Sequence, residues 1–144
     1  MFLYCFITWL LANLLHPFVM LIVFQSENYL ISGEGLGFVI MIFLYILLFS
    51  IPSLLMGFLV LHLISLMSIA DGIKFFIWLG AALLIILVNL FLIYLLFGGT
   101  KMMTLSDFEI GIPAMIAVTL ANLVRVQYFF KDIQQLKTKR ESDK

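Results

Sequence analysis

Four long apolar runs divide the chain: Phe2–Phe24, Leu36–Ile64, Phe75–Phe97 and Ile110–Phe130. A helix crosses a hydrocarbon core with about 20 such residues, and each run is long enough. The pattern predicts an all-α, polytopic membrane protein, a four-transmembrane-helix bundle over residues 2–130 with a short tail at 131–144. The second run is long for one crossing. Its residues 36–64 come to roughly 43 Å of helix, against a core near 30 Å. Tilt, a kink at Pro52 or a projecting end must absorb the excess. Short polar segments join the runs: QSENYLISGEG, SLMSIADGIK and GGTKMMTLSDFEIG. Gly33, Gly35 and Gly37 predict a turn and a loose lead into the second helix. Gly98 and Gly99 end the third. Ser106 and Glu109 have capping-box spacing, so the fourth helix can begin there, with Pro113 in its first two turns.

Composition agrees with the pattern. The chain of 144 residues is 65% hydrophobic and 11% charged, with a mean hydropathy of +1.22. Soluble domains run at about 45–50% apolar and about 25% charged. The formal net charge is +0, so charge implies no partner, and nucleic acid is not expected without a basic surface beyond the tail. The single cysteine, Cys5, excludes an intrachain disulfide and reads as a small apolar packing residue. The first run has no basic residues before it and no small-x-small cleavage site after it, so it is read as a retained span.

Charge also sets an expected direction. Lys131, Lys137, Lys139, Arg140 and Lys144 lie in the tail and Lys74 in the second loop. The first loop has neither Lys nor Arg, and the third has Lys101 alone. By the positive-inside rule both termini are cytoplasmic, and the expected location is the bacterial cytoplasmic membrane. Tyr4, Trp78 and Tyr128 then fall near the inner interface, Tyr29 and Tyr94 near the outer one, and Trp9 deeper, as packing.

Polar side chains inside the runs are few, and they are the candidate functional residues. Asn13, Ser50, Ser53, Asn89 and Asn122 all fall within about 8 Å of the expected midplane. Every helix thus contributes to a middle polar layer, and His16 lies one turn outward from Asn13. Two roles fit: a clasp that fixes helix register, or the lining of a solute path. Pro17 cannot donate to the Asn13 carbonyl, which adds a freed backbone group. Ser50 and Ser53 flank Pro52, beside the carbonyl freed at Leu48. Ala114, Ala117, Ala121, Arg125 and Tyr128 share one side of the fourth helix. Arg125 is an interfacial cation: it snorkels to headgroups or meets a carboxylate. Asp71 and Asp132 are the nearby internal candidates.

The chemistry this excludes is broad. His16 and His62 lie about 15 Å apart along the expected membrane normal, which does not suit axial ligands of one haem. No cofactor or metal site is expected. The chain has no Gly-x-Ser-x-Gly, no His-x-x-x-His, no paired intramembrane carboxylates and no phosphate-cradling loop. An intramembrane Ser–His enzyme, using His16 with Ser50 or Ser53, ranks third. The leading expectation is a small integral membrane protein without a catalytic constellation. It acts through helix association, as a homo-oligomer or as a membrane subunit of a larger complex. The alternative is a pore, small-solute transporter or membrane-perturbing effector built from several copies. Expected partners are the bilayer, further copies or other membrane subunits, and an anionic lipid or cytoplasmic partner at the basic tail.

Overall fold

The computed structural model describes residues 1–23, 33–97 and 111–142. Among these residues the chain forms helices and no strand. They are α1 (Phe2–Val23), α2 (Gly33–Phe49), α3 (Ile51–Leu66), α4 (Asp71–Phe97), α5 (Gly111–Val124) and α6 (Val126–Ser142). The third loop with Lys101, the Ser106–Glu109 capping box, Gly98, Gly99 and Tyr29 lie outside the described residues. Hydrocarbon cannot hydrogen-bond a backbone, so runs this apolar must close their hydrogen bonds internally, which the helix does.

Two of the four runs are single helices. α1 holds its Pro17 without a break, and α4 begins four residues before the apolar run, with Asp71 in its first turn. An acidic side chain there complements the helix dipole. The other two runs are broken. Phe43–Phe49 and Ile51–Leu66 meet at 49° across Ser50, with Pro52 in the first turn of α3. A kink at Pro52 was one of three ways in which the length of the run could be absorbed, and the bend lies beside that proline. The fourth run, expected as one span over 110–130, divides at Arg125, where Gly111–Val124 and Val126–Thr138 meet at 59°. The Arg125 carbonyl accepts from the amides of Tyr128 and Phe129, at 3.0 and 3.2 Å, which starts α6 in a new direction. The glycines expected to form a turn, Gly33, Gly35 and Gly37, lie instead inside the first turns of α2.

α1 makes its closest pairing with α5, and α3 with α4. Small residues allow the first: Ala117 and Ala121 are fully covered on α5, and Thr8 and Ala12 are buried on α1. Gly57 does the same for α3, where an added Cβ would stand 3.4 Å from the Trp78 ring and 3.5 Å from Cys5 Sγ. The densest apolar cluster lies at one end of the bundle. There Tyr4, Leu61, Ile64, Phe75, Trp78, Phe129 and Ile133 are buried together. Tyr4 and Phe75 both meet the Phe129 ring edge-on, at 5.6 and 5.4 Å between centroids.

Ion pairs gather the chain at that same end. The Met1 amino group lies 2.8 Å from Asp132, and Lys137 lies 2.8 Å from Asp71. The start of α1, the start of α4 and the tail helix therefore share one end. The outer surface is apolar along the bundle, with Ile22, Leu48, Leu55, Leu84 and Val124 all exposed.

Candidate functional site

The polar residues that pattern placed in one layer form two bands. The first surrounds the break between α2 and α3. Asn13 Nδ2 donates to the Trp9 carbonyl at 2.8 Å, which leaves Asn13 Oδ1 facing outward as an acceptor. Ser50 Oγ lies 2.8 Å from that oxygen and 3.1 Å from the Leu47 carbonyl, and its one proton serves either. Trp9 Nε1 donates to the Ser50 carbonyl, and Asn89 Nδ2 to the Phe49 carbonyl, both at 3.1 Å. Side chains of α1 and α4 thus hold the backbone where Pro52 interrupts the helical ladder.

The second band lies at the end of the bundle that holds the apolar cluster. Asn122 Oδ1 accepts from Trp78 Nε1 at 2.6 Å and from the Tyr4 hydroxyl at 3.1 Å. Its Nδ2 donates to the Val118 carbonyl at 2.9 Å. Asn122 is buried, with 1% exposure, so these bonds stand in for water at its amide. Asn122 belongs to a different hydrogen-bonded group from Asn13. Tyr4 precedes Asn13 on α1 by nine positions, about 14 Å of helix.

Between and beside the bands runs a cavity of about 260 Å³, walled by α1 to α5. His16, Asn13, Ser50, Ser53, Asn89 and Asn122, the six residues of the expected layer, all border it. Both tryptophans, Trp9 and Trp78, border it too, as does Thr8, whose hydroxyl lies beside that of Tyr4. The rest of the wall is chiefly aliphatic, from Ile46, Leu54, Ile85, Ile86 and Val118. His16 Nε2 is buried and has no hydrogen-bond partner among the described residues. His62 is exposed on α3, away from this wall. Ser53 makes no hydrogen bond among the described residues, and no three His, Cys, Asp or Glu side chains there are placed to hold a metal.

Arg125 meets aromatic faces rather than a carboxylate. Its guanidinium carbon lies 4.9 Å from the Tyr128 ring centroid and 5.4 Å from that of Tyr4. Its Nε is buried without a hydrogen bond among the described residues. Asp71 and Asp132 are engaged elsewhere, with Lys137 and the Met1 amino group. Tyr4 and Trp78 also differ from expectation. They are buried partners of Asn122 rather than belts at a lipid interface.

The sequence alone did not single out Trp9, Trp78 and Tyr4 as polar partners. Trp9 was readable in part, since Asn13 follows it by four positions and caps its carbonyl within one helix. Tyr4 and Asn122 stand 118 positions apart, and nothing in their spacing joins them.

The fold defines a class: among the described residues it is all-helical, with two helices long and apolar enough to cross a membrane, or up to four if each bent pair is one span. No protein-family model, curated protein or solved structure matches the chain.

Proposed function

We infer that the chain is a four-span integral membrane protein of the cytoplasmic membrane, with both termini cytoplasmic, that works by association. It acts as a homo-oligomer or as a membrane subunit of a larger complex, and performs no catalysis of its own. The observation that carries this reading is the internal use of the amides. Asn13, Asn89 and Asn122 each donate to a carbonyl of their own chain, and Asn122 also accepts two side-chain bonds. Groups spent in this way act as a clasp rather than as the wall of an aqueous pore. What the folded chain offers to partners is its apolar exterior and the basic, amphipathic α6.

Size in mild detergent, with identification of whatever co-purifies, tests the proposal. Association predicts a species larger than one chain plus its micelle, or a stoichiometric membrane partner. A strict monomer with nothing bound overturns it. Ion or solute flux in liposomes tests the pore built from several copies. Flux that falls with Asn89→Leu would favour the pore.

A further inference from the structure

We propose that the central cavity is a binding site for one acyl chain, lying along the bundle with its polar head at His16. Three observations carry this. The first is shape. On α1 the wall extends from Cys5 to His16 and on α4 from Trp78 to Ile93, which is about 16 Å and about 22 Å of helix. Spread over such a length, about 260 Å³ is an elongated space. A compact cavity that takes benzene has about 150 Å³. Elongation selects a chain over a ring system.

The second is chemistry. The wall is aliphatic and aromatic for most of its length, and its amides already donate within the chain. An occupant therefore meets chiefly dispersion contacts along its tail, with the Thr8 hydroxyl, buried and without a partner among the described residues, as a further polar point on the wall. The third is His16. Its Nε2 is the buried ring nitrogen on this wall without a partner among the described residues. A buried polar atom left unbonded is costly, and a carboxyl or ester oxygen would satisfy it. His16 stands seven positions before the end of α1 at Val23, so the head would lie about 10 Å inside the helix end. The tail would then pass Trp9 before reaching Trp78.

This order gives the test. The chain has two tryptophans, and both border the cavity, so intrinsic fluorescence reads its occupant. The full chain is placed in phosphatidylcholine vesicles and titrated with stearic acid brominated at mid-chain. The expected result is saturable quenching. Ser53→Phe and Ala114→Phe, which fill the space from α3 and α5, remove the saturable part while helix content is kept. His16→Leu raises half-saturation about tenfold, as loss of one buried hydrogen bond would. Should the filled variants fail to fold, Trp78→Phe and Trp9→Phe serve instead. Mid-chain bromine must quench Trp9 more than Trp78, and chain-end bromine the reverse. Vesicles of brominated phosphatidylcholine identify the source. Quenching there that competes with the free acid assigns the tail to a membrane phospholipid and supports the site. Quenching proportional to bromine and equal in all variants is contact with bulk lipid and overturns the proposal, as does the reversed order of tryptophans.

Discussion

At the scale of single residues, the same side-chain chemistry has different weight according to what surrounds it. Asn122 and Ser53 were equivalent members of a polar layer by sequence. In the fold, Asn122 accepts from Tyr4 and Trp78, whereas Ser53 makes no hydrogen bond among the described residues. Asn122→Ala would leave a buried indole N–H and a phenol without an acceptor. Membrane hydrogen bonds are worth about 0.6 kcal/mol each on average, and orphaned buried groups cost more, so a loss of about 1–3 kcal/mol is expected. Ser53→Ala should change stability by less than about 0.5 kcal/mol. Reversible unfolding in mixed micelles measures both, and equal effects would refute the distinction. Arg125 teaches a related point. Its charge predicted either snorkelling to headgroups or a carboxylate partner, but Tyr4 and Tyr128 present ring faces that bind a guanidinium through their quadrupoles.

At the scale of elements, the breaks organise the molecule. Pro52 cannot donate to the Leu48 carbonyl, and the run yields next to it, at Ser50. Residue type and run length together made this break one of three options, with tilt and a projecting end as the others. The break at Arg125 was not, because no proline or glycine marks it. It follows from what lies on either side: α5 faces α1 with small residues, while α6 turns Phe129 and Ile133 into the apolar cluster. α6 is held by those apolar contacts more than by charge. Its Lys137–Asp71 pair has an exposed lysine, and exposed pairs give about 0–1 kcal/mol. Lys137→Ala should therefore leave α6 docked. Ile133→Asp should release it, since an unpaired charge replaces a side chain with 1% exposure. Trypsin cleavage after Lys131 reports the difference: faster by more than tenfold in the second variant and little changed in the first.

At the scale of the whole molecule, the ion pairs draw the start of α1, the start of α4 and the tail to one end. Which side of a membrane that end faces is set by Lys and Arg in the short loops. With Cys5 replaced by serine, a cysteine at exposed Thr138 should react with an impermeant maleimide only after the cells are opened. Labelling of intact cells would place the tail outside and refute the assigned direction. The wide apolar exterior and the occupied amides are what the proposed association through lipid and other membrane helices rests on.

What the amino-acid order determined by itself was helical class, the number of apolar runs, the proline beside which the second run could bend and the identity of the polar residues. These depend on period, run length and the missing proline N–H, which are local properties. Tertiary structure alone decided which polar groups meet. Tyr4, Trp78 and Asn122 come from three helices, and their bonds depend on helix rotation and on the bend at Arg125. The cavity was decided there as well. A void exists only where side chains from several helices fail to fill the space between them, and no single helix carries that information.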